Sequence, residues 1–473
     1  MARREFVSEL LHPDRDRFSQ AALKLIDTAL ASGIRNVPLR AQPPESAFLG
    51  PQHQERFLAA CHRGYDRAQE TLVDVFVSLH EGTHLDSNET KFRMSVLRRV
   101  ADAIAVAMLE MKDHVIARMC LEFAIHPLDL QVLTVAHEEV KRMNAESRKS
   151  FALLAGMTTF VHVCDVLRID FRPGSPLVQM IELKSGRINE ILLKDLADYQ
   201  PVLESLDQID DDPTIDDRYR SQAKRMMRQK VRLAQVEKIL ETDEGTDPVS
   251  GQLLKLSKNL ILLEGIGTSI EQACQVALDT GAASTTLDDC IHVGIGYSDS
   301  YREAKAIASD ALDVSVDRHY VLGPDSLRST MEETRKIVPE DELIVVLDPL
   351  QMNLRSVPTR PFPVWGLKRS TVGHLLGRRL VILFGFDLSS FFWMCRSRGV
   401  DVHLSTRKES ARRDQLLGGK GNLTWGNRIV ILESCDGPVQ IGERNWLRFL
   451  CDWISPADFV NQAWVPWTKQ SMH

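Results

Sequence analysis

The sequence predicts an α/β multidomain protein, and three observations carry that expectation. Apolar residues recur at three- and four-residue steps through most of the first 150 positions, the signature of amphipathic helices. Beyond them the pattern changes to short apolar runs closed by turn residues, as at Arg172-Pro-Gly-Ser-Pro176. The last third again alternates strand-like runs with helical stretches. The expected divisions are a helical N-terminal region over 1–128, a central α/β core over 129–300 that includes a basic helix at 218–240, and a C-terminal α/β domain over 301–473.

In order, the helical spacing covers Ala21–Ala31, Gln54–Leu79, Thr90–Lys112 and Asp129–Ala145. From Phe151 to about Ala197 the reading is helix, strand, turn, strand, helix, with the two strands in the apolar runs Phe160–Ile169 and Leu177–Leu183. Asn259–Leu263 reads as a strand, Ile270–Thr280 as a helix closed by Gly281, and Cys290–Ile295 as a strand expected to complete the central sheet. In the last third, Leu343–Leu347, Arg379–Phe384, Val400–Leu404 and Arg428–Leu432 are strand-like. Leu388–Arg398 is a helix ended by Gly399, and Asn445–Ile454 an aromatic-rich helix.

Composition bounds the class. A chain of 473 residues that is 44% hydrophobic and 26% charged has the balance of a soluble multidomain protein. No apolar run approaches the roughly 18 residues of a membrane span, and the start, Met-Ala-Arg-Arg-Glu-Phe, lacks the apolar segment of a secretion signal. A cytoplasmic protein with no membrane partner is expected. The eight cysteines form no C-x-x-C pair, which argues against a structural zinc site and a disulfide framework. Gly418-Gly-Lys-Gly421 lacks the strand-to-helix context and the Ser/Thr of a phosphate loop.

The chemistry concentrates between Phe160 and Ile191. The first apolar run contains Asp165 and ends in Asp170; the second ends in Glu182-Leu183-Lys184. Mg2+ takes oxygen ligands and keeps several waters, so two carboxylates suffice to hold it while phosphate oxygens fill the remaining positions. Strand alternation puts Glu182 and Lys184 on one face, where the ammonium can orient an attacking water. In a regular strand Asp165 shares the parity of Val161, Val163, Leu167 and Ile169, and Asp170 does not; a bulge would alter this. Asp165 is therefore the preferred ligand. The chain also contains Glu89-Thr-Lys91, Glu110-Met-Lys112, Glu139-Val-Lys141 and Glu303-Ala-Lys305, but in helical spacing, where i and i+2 do not share a face.

The stretch Phe151–Asp165 followed by Ile181-Glu-Leu-Lys-Ser-Gly-Arg-Ile-Asn189 resembles the core of the PD-(D/E)XK, or restriction-endonuclease-like, nucleases, over about forty residues. The resemblance implies a helix, a hairpin supplying Asp and then Glu-x-Lys, and a following helix. It implies Asp165 and Glu182 as ligands of Mg2+ or Mn2+, Lys184 as the catalytic lysine, and DNA as substrate. The chain departs from the family pattern in having Cys164 before Asp165. The family's additional glutamate from the first helix has Glu138, Glu139 and Glu146 as candidates. The long flanks fit a host-defence or restriction-type role. Nucleases of this family work as dimers or beside a motor subunit; with no nucleotide-binding motif here, a partner protein or a homodimer is expected.

The net charge of −7 is not that of a nucleic-acid binder, but phosphate contacts need only a basic face. From Arg218 to Lys238 there are eight Lys or Arg residues and one acid, Glu237. Arg225, Arg228, Gln229 and Arg232 recur at helical spacing, beside an apolar stripe of Met226, Leu233, Val236 and Leu240. This helix is expected to meet DNA phosphates; the alternative is a solvated helix paired with the acids of Asp207–Asp217. Two further readings stand beside the nuclease. One is a non-catalytic nucleic-acid-binding or scaffolding module of the same fold. The other is a zinc metalloprotease through His80-Glu81-Gly-Thr-His84, whose H-E-x-x-H spacing needs a continuous helix to put both imidazoles on one face. Gly82, Thr83 and the capping sequence Asp86-Ser-Asn-Glu89 argue that the helix stops there.

Overall fold

The structure, a computed structural model, describes residues 3–32, 51–82, 84–109, 119, 128–170, 177–183, 217–242, 244–246, 253–255, 265–322, 361, 366–409, 411, 430–434, 437–441 and 455–464. It mixes helices with small antiparallel sheets. The chain divides into two compact units, one of Met1–Asp27, Ser78–Ala103 and Ile261–His473, the other of Thr28–Val77 and Ile104–Leu260. Among the described residues no helix is long and apolar enough to cross a membrane.

The N-terminal periodicity is matched by helices α1 (Arg3–Leu11), α2 (Arg15–Leu30), α3 (Pro51–Glu81), α4 (Ser87–Met108) and α5 (Leu130–Glu146). The start of α4 is set by Asp86, whose Oδ1 accepts the N–H groups of Asn88 and Glu89, both at 2.8 Å, as an N-cap should. In the first unit, Arg93 of α4 is fully buried. Its guanidinium pairs with Glu89 at 2.8 Å, donates to the carbonyls of Leu10 and His12, and lies 4.4 Å from the Phe18 ring centroid. Those bonds compensate the desolvation of a buried cation and fix α1 and α2 against α4.

The second unit holds the segment of chemical interest. Strands β1 (Ser150–Leu154), β2 (Val166–Asp170) and β3 (Leu177–Ile181) form an antiparallel sheet in that order. This corrects the helix expected from Phe151: the run Ser-Phe-Ala-Leu-Leu is a strand buried on both faces, followed by one 3-10 turn over Ala155–Met157. Phe151 packs against His62 and Tyr65 of α3, ring centroids 5.4 Å apart in each case. The expected strand from Phe160 is also shorter, beginning at Val166. The residues before it are held in turns, with the Thr158 hydroxyl accepting the Val161 N–H at 3.1 Å and the Met119 carbonyl accepting the His162 N–H at 2.9 Å. Within β2 and β3, Leu167 faces Met180 and Ile169 faces Val178. Farther along, α6 (Asp217–Thr242) leads into the hairpin β4 (Glu244–Thr246) and β5 (Leu253–Lys255). Gly245 lets this hairpin close on α6, because a Cβ there would fall 2.6 Å from Ile239 Cγ1.

The remaining elements belong to the first unit: α7 (Gly265–Thr280), β6 (Ala282–Leu287), β7 (Ile291–Tyr297), α8 (Tyr301–Leu322), α9 (Arg369–Leu376), β8 (Leu380–Phe386), α10 (Leu388–Ser397), β9 (Asp401–Leu404), β10 (Val430–Ser434), β11 (Gly437–Ile441) and α11 (Pro456–Trp464). Strand β7 does not complete the β1–β2–β3 sheet as expected. It pairs with β6 and β8 in a separate antiparallel sheet, covered by α8. Gly281 and Gly399 follow α7 and α10 with φ of 89° and 76°, the left-handed stop their positions require. The expected elements at Asn259–Leu263, Leu343–Leu347 and Asn445–Ile454, and the helix after Lys184, lie outside the described residues.

Candidate functional site

Asp165 sits at the mouth of the β2–β3 hairpin, fixed by three hydrogen bonds. Its carbonyl accepts the Ala155 N–H at 3.0 Å from the β1 side, and its N–H donates to the Ile181 carbonyl at 3.0 Å on the β3 side. Its carboxylate Oδ2 accepts the Leu183 N–H at 2.7 Å. Val166 also pairs with Ile181, so two residues of one strand are set against one of the other, the arrangement of a β-bulge. Bulges turn a side chain out of the regular alternation. Leu167 and Ile169 are fully buried, whereas Asp165 is half-buried.

The Leu183 amide that Asp165 holds is the one following Glu182, so the hairpin brings these two acids to one end although 17 positions separate them in the chain. Glu182 is likewise half-exposed. Their shared neighbourhood registers at Cys164: burial pushes this thiol well above its ordinary range, and the nearby charges of Glu182 and Asp165 push it further in the same direction. Cys164 is a protonated, buried group and no nucleophile. Asp170 lies at the opposite end of β2, paired with Leu177, and does not join this pair. Lys184 lies outside the described residues.

Hard carboxylate oxygens at the end of a hairpin are the donor chemistry that Mg2+ or Mn2+ uses, and one or two carboxylates are its usual protein complement. Asp165 and Glu182 supply two. Among the described residues no group of three or more His, Cys, Asp or Glu side chains is arranged around a common metal position. The candidate glutamates on α5 are engaged at the helix surface, Glu138 with Lys141, and Glu139 and Glu146 with Arg142. Asn144 of α5 is buried and hydrogen-bonds to β1.

On α6, Arg225, Arg228 and Arg232 are all exposed; the Gln229 side chain lies outside the description. At 100° per residue the three arginines fall within about 60° of one another around the helix axis. Val236 and Ile239 continue the same side of the helix one to four turns farther on, where they are buried. The basic and apolar surfaces thus follow one another along α6. Asp207–Asp216 lie outside the described residues.

The other motif fails on geometry: α3 ends at Glu81, and Gly82 has φ of 104°, so His80 and His84 are not one turn apart on a continuous helix. Sequence reasoning missed Gln69 and Asn144, the amides that hold the outer edge of β1; a lone Gln or Asn within a helical pattern gives no signal of a strand partner. Compared with protein-family models, curated proteins and solved structures, the chain matches none of them.

Proposed function

We propose that this chain is a divalent-metal-dependent nuclease that hydrolyses phosphodiester bonds in DNA. The observation that carries the reading is the bond from the Leu183 N–H to the Asp165 carboxylate, which holds Asp165 beside Glu182 at the open end of a hairpin. Asp165 and Glu182 would hold Mg2+ or Mn2+, which when bound supplies Lewis-acid polarisation of the phosphate and a more acidic water. Lys184, two residues after Glu182, would orient the attacking water and offset charge that develops on the phosphate oxygens. The exposed arginines of α6 would neutralise backbone phosphates. A bacterial-defence or restriction-type setting, with a partner protein or a second copy of the chain, belongs to the same reading.

The test is incubation of purified protein with supercoiled and linear DNA in Mg2+ or Mn2+, beside Glu182→Ala and Lys184→Ala. Cleavage by the wild type and by neither variant is the expected result. Equal cleavage by all three would place the activity elsewhere or in a contaminant. No cleavage by any, together with Asp165-dependent Mn2+ binding, would leave the non-catalytic binding module of the same fold.

A further inference from the structure

Helix α3 sets a buried amide against the edge of β1. Gln69 is 1% exposed, and its amide spans two residues of the strand edge: Oε1 accepts the Leu154 N–H at 2.8 Å, and Nε2 donates to the Ala152 carbonyl at 3.2 Å. From the other side Asn144 of α5 accepts the Ala152 N–H at 2.8 Å and donates to the same Ala152 carbonyl at 3.1 Å. The two amides do the work of a fourth strand, since an edge strand's buried backbone groups must be satisfied by something.

They differ in where they act. On the strand Asn144 holds Ala152 alone, whose partner across the sheet is Arg168 in the middle of β2, and its amide also donates to the Asp66 carboxylate at 3.5 Å. Gln69 holds Leu154, and the next residue, Ala155, donates its N–H to the Asp165 carbonyl. A continuous line therefore runs from α3 through Leu154 and Ala155 to the backbone of the bulged residue, and ends at the carboxylate bound to Leu183. We infer that Gln69 is a positioning residue, whose buried amide fixes the Asp165 backbone and so aims its carboxylate at the site beside Glu182. This rests on the metal-site reading above. Groups one shell behind a ligand commonly change metal affinity by about 10–100-fold when removed.

The experiment is Mn2+ titration by calorimetry on the full chain, comparing wild type, Asp165→Ala, Gln69→Met, Gln69→Glu and Asn144→Leu, each checked for native circular dichroism. Gln69→Met keeps the length of the side chain and loses both bonds. Gln69→Glu keeps an acceptor for Leu154 and loses the donor to Ala152. Asn144→Leu is the matched control, because it too removes a buried amide from the same strand edge. The expected result is about a 10-fold loss of Mn2+ affinity in Gln69→Met, partial recovery in Gln69→Glu, and a change of no more than about 2-fold in Asn144→Leu. Equal losses in Gln69→Met and Asn144→Leu, or no loss in either, would overturn the inference while leaving the metal site in place. Should Gln69→Met fail to fold, Gln69→Glu against Asn144→Leu decides by the same criterion. Wild-type binding that is absent or unaffected by Asp165→Ala would instead overturn the metal-site reading itself, and this inference with it.

Discussion

The Asp165 carboxylate accepts the Leu183 N–H at 2.7 Å across the mouth of a hairpin, in a place where a regular ladder would use a backbone carbonyl. A side chain has been substituted for main chain, and the substitution sets a negative charge next to Glu182 and a buried thiol. Asp165→Asn keeps a carbonyl oxygen for Leu183 and removes the charge. It should therefore unfold within about 1 kcal/mol of the wild type, while Asp165→Ala, which strands the Leu183 N–H, should lose about 1–3 kcal/mol. Thermal melts with and without Mn2+ check this. The wild type should gain melting temperature from the ion and neither variant should; an Asn variant stabilised by Mn2+ as the wild type is would remove Asp165 from the site.

Buried titrating groups give the stability curve two shoulders. Burial against α3's surroundings holds the His62 imidazole below its ordinary 6.5, with the Asp66 carboxylate opposing that shift. Above pH 6.5 the imidazole is neutral in both states and contributes nothing. As pH falls below 6.5 the unfolded chain takes up a proton that the fold refuses, so stability declines until the lowered folded value is passed. His62→Gln should flatten the decline in urea midpoint between pH 7 and 5 relative to the wild type. An unchanged slope would mean that the His62 imidazole takes up its proton as readily folded as unfolded.

At the alkaline end, burial pushes the thiols of Cys274 and Cys395 from 9.0 up to about 12 each. Groups raised in this way contribute their full stability below pH 9 and lose it as pH rises, because the unfolded thiols ionise first. Each can cost up to about 1.4 kcal/mol per pH unit. The double variant Cys274→Ala, Cys395→Ala should be less stable at pH 8 yet show a shallower fall between pH 8.5 and 10. A fall as steep as that of the wild type would mean that these thiols ionise as readily folded as unfolded.

Gly294 and Gly296 explain how α8 lies against β7. A Cβ on Gly294 would stand 2.1 Å from the Ala308 carbonyl oxygen and 2.5 Å from the Leu312 nitrogen; one on Gly296 would stand 2.1 Å from the Ala304 carbonyl oxygen. These are backbone atoms, so a methyl group at either position must push the helix off the sheet. Gly294→Ala should destabilise by about 3 kcal/mol, the upper part of the overpacking range. Gly281→Ala meets no atom within 4 Å and suffers only from its φ of 89°, for about 1 kcal/mol. Urea unfolding of the two variants should preserve that order.

What the sequence disclosed and what it hid follow from the same forces. Helices α2, α3 and α5 were legible because part of each surface is buried and periodicity records that, while α4, buried all round from Val96 to Val106, still carried apolar residues at helical steps. Strand β1 was not. Phe151-Ala-Leu-Leu is buried on both faces, leaves no alternation, and is indistinguishable by pattern from a turn of buried helix. It pairs with β2, and its other edge bonds to amides at positions 69 and 144, which no local window contains. Chain parity assumes a regular strand through Asp165, whereas the pairing that sets both Asp165 and Val166 against Ile181, and Leu183 against the Asp165 carboxylate, joins residues that no local window contains. The separation of β7 from the first sheet likewise depends on partners: β6, immediately before it, and β8, more than 80 residues farther on.

The exposed arginines of α6 give the nucleic-acid reading a quantitative test independent of cleavage. Arg225, Arg228 and Arg232 occupy one side of the helix, spaced over about two turns or 10 Å, a span that crosses only a few phosphates of one DNA strand. If each neutralises one phosphate, replacing all three with Gln should weaken binding to DNA of any sequence and lower the slope of log K against log salt by about 0.9 per residue, or nearly 3 in total. Fluorescence anisotropy with a labelled duplex between about 50 and 200 mM salt, in Ca2+ to hold cleavage back, measures both. Reduced affinity with an unchanged slope would mean that the arginines act through the fold of α6. No change in either would detach this helix from DNA and return the basic run to an ordinary solvated face.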